Sequence, residues 1–197
     1  MSPRFCPHCG SQISSPNEAP SRASRCGSCG VFFNNGPQLL TLVMVFAEDQ
    51  LLMIKRGIEP YAGKWAPPGG YVEYGESIEA AGSRELHEET GLLVQPPDLL
   101  SHGVISVTAL NQVHVCLIAM LDKALPLSPR PPEALDARWF SMESYPAAEV
   151  WDPFRTISVK AMYQPCRTGR LLLLQQTDNA RRVVRTGAGF SHPWEKF

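Results

Sequence analysis

The sequence predicts an α/β fold, in which a mixed sheet lies between helical layers, with a small metal-binding unit at its N-terminal end. Three observations predict it. Short apolar segments bounded by turn residues recur through the middle of the 197-residue chain, as the strands of a sheet do. Segments typical of helices follow these strands, an order that favours a layered α/β architecture. Two Cys-x-x-Cys pairs lie near the start of the sequence, in a stretch too short to bury much of a core.

Taken in chain order, the N-terminal unit comes first, and we assign residues 1–36 to it. Its cysteines, Cys6, Cys9, Cys26 and Cys29, form two pairs separated by sixteen residues, which is the spacing of a four-cysteine zinc ribbon. Four thiolates complete a tetrahedral site and leave no position for water, so the predicted Zn²⁺ is structural. Two disulfides, or a redox-active Cys-x-x-Cys, are the alternatives.

The strands and helices of the larger unit follow a turn-rich linker. Strands are predicted at residues 39–46, 51–55, 102–108, 113–121, 137–140 and 171–175. An extended segment over residues 65–72 leads into a helix at residues 77–90. A second helix is predicted to begin at Asp152 and to run to about residue 163. Cys116 lies in an apolar run and is expected to be a core thiol.

Composition narrows the class of protein. Hydrophobic residues make up 44% of the sequence, which is enough for a core. The net charge of −1 argues against nucleic acid as the main partner. No apolar run approaches a membrane span, and the first residues lack the layout of a signal peptide. We therefore expect a cytoplasmic protein with no membrane partner.

The stretch GYVEYGESIEAAGSRELHEETGL, which begins at Gly70, carries the chemistry. Glu85, Glu88 and Glu89 stand at i, i+3 and i+4, so their carboxylates share one face of a helix. Like charges this close are unfavourable unless a cation lies among them. Carboxylate oxygens without nearby Cys or His favour Mg²⁺ or Mn²⁺ over zinc. Gly91 is expected to end the helix in the left-handed conformation.

This stretch matches every fixed position of the Nudix box, G-x5-E-x7-R-E-U-x-E-E-x-G-U, where U is aliphatic. The chain therefore resembles the Nudix hydrolases, which cleave diphosphates linked to another moiety. The resemblance implies a Nudix α/β/α sandwich, which we assign to residues 37–176. Residues 177–197 remain as a C-terminal tail that we expect to be partly disordered.

The resemblance also assigns roles to individual residues. It implies that Glu85, Glu88 and Glu89 hold the catalytic metal. Arg84 is expected to orient a carboxylate, with Glu76 as its partner. The general base is either Glu85 or Glu133, since Glu133 lies on a proline-rich loop after the box.

Substrate contacts are predicted at four positions ahead of the box helix: Arg56, Trp65, Gly69 and Gly70. A carbonyl of the glycine pair is expected to assist the metal. Tyr61, Trp65, Tyr71 and Tyr74 are aromatic residues near the box that are able to stack on a base or to pack in the core.

A zinc ribbon joined to this box resembles a group of enzymes that act on ADP-ribose, FAD or NADH. The Ser-Gln-Pro-Trp-Pro-x-Pro array of the NADH pyrophosphatases is absent after the box. We expect a small nucleotide substrate, namely a nucleoside diphosphate linked to another moiety. Nucleoside triphosphates, RNA 5′ ends and a nucleotide-sensing role without hydrolysis are the alternatives, and a homodimer is left open.

Overall fold

The computed structural model describes residues 5–6, 8–12, 24–33, 36–141, 143–150, 172–177 and 180–185. The chain divides into two compact units, Met1–Gln38 and Leu39–Phe197. The helix predicted from Asp152 lies outside the described residues, as do Cys166 and the last twelve residues. Among the residues described, no helix combines the length and the apolar character needed to cross a bilayer.

The smaller unit contains two short strands, β1 (Ser24–Arg25) and β2 (Phe32–Phe33), which pair antiparallel. Between them the chain turns through the second Cys-x-x-Cys pair. The N–H of Gly30 donates to the carbonyl of Cys26 at 2.9 Å, and Gly30 has φ of 73°. A Cβ is disfavoured at this φ, so a glycine after the second cysteine closes the turn without strain.

The larger unit has one sheet, nine-stranded within the part of the chain that is described. Its strands are β3 (Gln38–Ala47), β4 (Gln50–Arg56), β5 (Trp65–Ala66), β6 (Gly69–Tyr71), β7 (Leu100–Val107), β8 (Gln112–Leu121), β9 (Ala134–Ser141), β10 (Leu172–Thr177) and β11 (Ala180–Arg185). The order is β11-β10-β7-β8-β3-β4-β5, with β6 on β3 and β9 on β4. The pair β10–β7 is parallel, whereas β7–β8, β3–β6 and β4–β9 are antiparallel. The prediction of a mixed sheet is confirmed.

The sheet carries buried apolar side chains in two clusters. Along β3, Met44 and Phe46 belong to one buried cluster, whereas Val43 and Val45 belong to the other. The second cluster includes Leu86 of the helix α1 (Ile78–Thr90). A strand buried on both sides reads as a continuous apolar run, which is why β3 was recognisable in the sequence. Cys116 is fully buried in the first cluster, as expected for a core thiol.

The helix α1 ends at the predicted residue, Thr90, and begins at Ile78, one residue after the predicted start. The Ser77 hydroxyl accepts a hydrogen bond from the N–H of Ala80 at 3.1 Å and caps its start. Gly91 ends it with φ of 77°, and its N–H donates to the carbonyl of His87 at 2.9 Å. The carboxylates of α1 are thereby fixed on a helix with defined ends.

Two strands differ most from the predictions. β9 begins at Ala134 rather than at residue 137, and it pairs with β4 over most of its length. β11, Ala180–Arg185, lies in the segment that we expected to be partly disordered. Its six residues pair with β10, and backbone pairing of this kind leaves little trace in side-chain periodicity.

Candidate active site

A cleft of about 360 Å³ opens between α1, β6, the end of β4 and the loop that precedes β9. It is lined by all but one of the residues that the sequence predicts for catalysis and substrate binding. Those that line it are Arg56, Gly69, Gly70, Arg84, Glu85, Glu88, Glu89 and Glu133. The fold therefore brings together four segments that are separate in the sequence.

The exception is Trp65, which the structure places in the core rather than in the cleft. Its side chain is buried in the core, and its ring contacts Phe140 edge-on at a centroid distance of 4.8 Å. An indole packed in this way is not available for stacking on a ligand. Tyr61 and Tyr71 do line the cleft, whereas Tyr74 is fully exposed and is absent from its lining.

Glu89 is the most deeply buried carboxylate of the cleft, with 5% of its surface exposed. Its Oε2 accepts a hydrogen bond from the N–H of Gly69 at 2.8 Å. Burial raises the pKa of Glu89 to about 8, and the charges of Glu85 and Glu133 act in the same direction. The Gly69 N–H and the charge of Arg56 oppose this shift without cancelling it. A cation beside Glu89 would supply the missing stabilisation of its charge.

Glu85 lies against the backbone of Gly70. A β-carbon at position 70 would overlap with the carboxylate of Glu85, so only glycine leaves room for this side chain. Burial raises the pKa of Glu85, while the guanidinium of Arg84 opposes the shift. The glycine that precedes the box helix is therefore part of the site as a recess for a carboxylate.

Arg84 organises the acidic side chains. Its Nε and Nη2 donate to the two carboxylate oxygens of Glu76 at 2.8 and 3.0 Å, so the predicted pairing is present. These hydrogen bonds lower the pKa of Glu76 to about 2. The Nη1 of Arg84 donates to Glu85 at 2.8 Å and to Glu88 at 3.3 Å. One guanidinium thus holds three carboxylates, two of which line the cleft with it.

The three glutamates of α1 line one cleft without converging on a single point. Among the described residues, only the four-cysteine group has His, Cys, Asp or Glu ligand atoms that all lie within 4.8 Å of one another. Glu85 and Glu88 are instead drawn to Arg84. The donor set is made of oxygen, which suits a hard divalent ion.

Glu133 reaches the cleft because its loop is fixed to the end of β4. The carbonyl of Glu133 accepts a hydrogen bond from the N–H of Gly57 at 2.8 Å. A β-carbon at position 57 would overlap with the carbonyl oxygen of Pro132, so the loop lies directly against the glycine. The side chain of Glu133 is exposed and lines the cleft.

Gln112, the first residue of β8, also lines the cleft, and no pattern in the sequence indicates it. Its Nε2 donates to the hydroxyl of Tyr71 at 3.0 Å, and its Oε1 lies 3.0 Å from Nε2 of His114. Tyr71 was recognisable from its place beside the box. Gln112 was not, because a polar residue at the start of a strand is ordinary and only the folded sheet brings it to Tyr71.

The four cysteines of the smaller unit converge. The Sγ atoms of Cys6 and Cys29 lie 3.7 Å apart, and those of Cys9 and Cys26 lie 3.6 Å apart. A disulfide bond is about 2.05 Å long, so these cysteines are not paired as disulfides. Four thiolates about 2.3 Å from a tetrahedral metal would be roughly 3.8 Å from one another, which matches the arrangement. The cluster could therefore hold one metal ion.

Comparison of the sequence with known proteins identifies a family and several relatives. The family model for the NUDIX domain matches residues 37–160. An NAD-capped RNA hydrolase NudC of Stutzerimonas stutzeri is 33% identical over 148 residues, which are 73% of this chain and 50% of that protein. An oxidized purine nucleoside triphosphate hydrolase of Danio rerio is 34% identical over 119 residues, covering 58% of this chain and 72% of that protein. The chain thus spans half the length of the NudC relative.

Two further matches, one to a protein sequence and one to a crystal structure, cover very different shares of the chain. An ADP-ribose pyrophosphatase of Methanocaldococcus jannaschii is 48% identical over 59 residues, covering 30% of this chain and 34% of that protein. The crystal structure of a NUDIX hydrolase from Nitrosomonas europaea superposes with a TM-score of 0.69 at 24% identity, covering 88% of this chain and 98% of the other. This structural similarity shows a shared fold.

Proposed function

The chain belongs to the Nudix family, and we propose that it is a metal-dependent hydrolase of nucleoside diphosphates linked to another moiety. ADP-ribose, FAD and NADH are substrates of this kind. The observation that carries the proposal is the acidic cleft, in which Glu89 is buried and Glu85 occupies a recess formed by Gly70. Similarity to an ADP-ribose pyrophosphatase over the 59 residues that match supports the substrate class.

A divalent ion fits the chemistry of the cleft. Glu85, Glu88 and Glu89 offer oxygen ligands, and the raised pKa of Glu89 reflects a buried charge that lacks compensation. We infer that these three side chains hold Mg²⁺ or Mn²⁺, assisted by a carbonyl of Gly69 or Gly70. When bound there, such an ion would neutralise charge on the phosphate oxygens and lower the pKa of a bound water.

The remaining catalytic roles are assigned to side chains in and around the acidic cluster, which consists of Glu85, Glu88 and Glu89. Arg84 orients Glu85 and Glu88 through the hydrogen bonds described above. Arg56 lines the cleft, and we assign its guanidinium to a phosphate oxygen of the substrate. Either Glu85 or Glu133 accepts the proton of the attacking water, since both carboxylates line the cleft.

A substrate panel tests the proposed function. ADP-ribose, FAD and NADH are compared with ATP, dGTP and capped RNA, and the release of mononucleotide or diphosphate is measured with Mg²⁺ and with Mn²⁺. The diphosphate-linked nucleotides are expected to have the highest kcat/KM. Two relatives act on oxidised purine nucleoside triphosphates by name, so a clear preference for triphosphates would replace the proposal with that activity.

Replacing Glu133 with Gln is expected to lower kcat by about a hundredfold and to leave the fold intact, because the side chain is exposed on the cleft wall. The measurement is kcat and its pH profile on the best substrate, with thermal unfolding as a check. Glu59→Gln is the matched control, since Glu59 lines the same cleft and is also exposed. If kcat and the pH profile of the Glu133 variant equal those of the wild type, Glu85 is the base.

We also propose that the four cysteines hold one structural Zn²⁺. Metal analysis is expected to find about one tightly bound zinc per chain, which survives dialysis against Mg²⁺. Cys9→Ser should lose this zinc and expose the smaller unit to proteolysis, because a unit this small depends on its metal. Cys166→Ser, the same substitution outside the group, should do neither. A Cys9 variant that keeps its zinc and its stability but loses turnover would contradict a purely structural role.

A further inference from the structure

Among the polar side chains that line the cleft outside the acidic cluster, those of Tyr71 and Gln112 are hydrogen-bonded to each other. Tyr71 ends β6 and Gln112 begins β8, and their side chains are hydrogen-bonded although they are 41 residues apart. Gln112 in turn contacts His114, which is fully buried in the sheet. The three residues form a relay that connects the cleft with the interior. Nothing in the metal-dependent chemistry proposed above uses it.

The chemistry of the relay fixes the direction of its hydrogen bonds. The amide oxygen of Gln112 can only accept, so the hydrogen between it and His114 resides on Nε2 of the imidazole. Burial lowers the pKa of His114 to about 4, so the ring is neutral near pH 7. The amide nitrogen of Gln112 donates to the Tyr71 oxygen. The hydroxyl hydrogen of Tyr71 therefore remains available, and half of the Tyr71 surface is exposed.

The surroundings of this hydroxyl suit an uncharged partner. Apolar and aromatic side chains also line the cleft, namely Leu40, Leu42, Ile58, Tyr61 and Leu110, and Leu40 is the strand partner of Tyr71. Its described cationic residues are Arg56 and Arg84, and Arg84 is bonded to three carboxylates. A neutral donor between apolar walls binds a flat group that carries an acceptor atom better than it binds a phosphate.

We propose that Tyr71, oriented by Gln112 and His114, donates a hydrogen bond to an acceptor atom on the nucleobase of the substrate. The base is then a determinant of specificity, and Gln112 is a positioning residue that keeps the Tyr71 hydrogen directed into the cleft. The proposal rests on the proposed function, since it assumes a nucleotide in the cleft. It goes beyond that function by naming the residues that read the base.

The test measures binding rather than turnover. Wild-type affinities for AMP, GMP, CMP, UMP and ribose 5-phosphate are measured by calorimetry with Mg²⁺, and the tightest nucleotide is taken forward. The quantity compared among variants is the Kd of that nucleotide divided by the Kd of ribose 5-phosphate, which lacks a base. Tyr71→Phe is expected to raise this ratio about five- to tenfold, as the loss of one hydrogen bond to a neutral ligand does.

Gln112→Glu is expected to raise the ratio by a similar factor with Tyr71 still present. A carboxylate can only accept, so it draws the Tyr71 hydrogen away from the ligand. Its added charge weakens both ligands and cancels in the ratio. Tyr74→Phe is the matched control, because Tyr74 is exposed and does not line the cleft.

Two results would overturn the proposal. The first is an unchanged ratio in Tyr71→Phe; if both ligands are weakened equally in that variant, the contact lies on the sugar or the phosphate. The second is that no nucleotide binds more tightly than ribose 5-phosphate. An unchanged ratio in Gln112→Glu alone would overturn the positioning role of Gln112. Hydrolysis of the substrate panel is measured separately, so a failure here leaves the proposed function standing.

Discussion

Replacing Glu89 with Gln is expected to lower kcat by at least about a hundredfold, in line with the loss of a metal ligand elsewhere. The amide retains the size of the side chain and can still accept the hydrogen bond from Gly69, so the local structure should persist. The variant lacks the buried negative charge of the carboxylate, which we propose binds the metal. Glu88→Gln is expected to have an effect of the same order. The measurement is the initial rate at saturating substrate and Mg²⁺.

The pH dependence of stability distinguishes a loss of turnover through the missing charge from a loss of turnover through misfolding. The pKa of Glu89 is about 8 in the folded protein, against an ordinary value of 4.5. In the metal-free protein, the free energy of unfolding should therefore decrease as the pH rises from about 4.5 to 8. The metal-free Gln variant should therefore be more stable than metal-free wild type at pH 8.5, and the two should be alike at pH 4. Urea unfolding at the two pH values measures this difference.

Glu79→Gln is the matched control for both experiments. Glu79 lies in the first turn of the same helix and does not line the cleft. Its variant should keep wild-type turnover. Near wild-type turnover in both Glu88→Gln and Glu89→Gln would contradict the assignment of these carboxylates to catalysis.

Replacing Gly70 with Ala is the second change with a large expected effect. The added methyl group would overlap with the carboxylate of Glu85, which is the mobile end of a side chain, so Glu85 should move while the backbone stays in place. We expect kcat to fall about a hundredfold, because a displaced ligand loses its geometry, with little change in the melting temperature. Steady-state kinetics and thermal unfolding are measured together.

Two other glycines serve as comparisons for this variant. Gly69→Ala should destabilise the fold, because its β-carbon would overlap with the carbonyl oxygen of Thr41 and its φ is 154°. Gly27→Ala should be neutral for turnover, since a β-carbon there meets no atom. Wild-type kcat in Gly70→Ala would show that the recess does not position Glu85. Unfolding of that variant would show that the methyl group is not accommodated by movement of Glu85.

The parts of the site that the sequence predicts are those coded locally. Residues three and four positions apart place the carboxylates on one face of α1, and Ser77 and Gly91 mark its ends. The cysteine spacing likewise predicts a cluster that the structure brings within 3.6 to 3.7 Å for two of its pairs. In each case the interacting groups lie within one segment or follow a regular spacing.

The parts that it does not predict depend on contacts between distant segments. Trp65 is an aromatic residue near the box, and only the pairing of β5 and β9 on either side of β4 shows that its ring packs against Phe140. Gln112 reaches Tyr71 because β6 and β8 both neighbour β3 in the sheet. The recess for Glu85 requires β6 to lie against α1. Sheet order decides the first two contacts and the packing of α1 against β6 decides the third, and no local pattern contains either.

The role of the acidic cleft is tested by measuring the release of AMP from ADP-ribose with protein that has been treated with EDTA and checked for bound zinc. We expect no release without added metal, and full turnover on addition of Mg²⁺ or Mn²⁺ while the zinc content stays at about one per chain. Turnover at the full rate with zinc as the only metal would contradict the assignment of the acidic cleft. Failure of Mg²⁺ and Mn²⁺ to produce turnover of any diphosphate-linked nucleotide would contradict the proposed reaction.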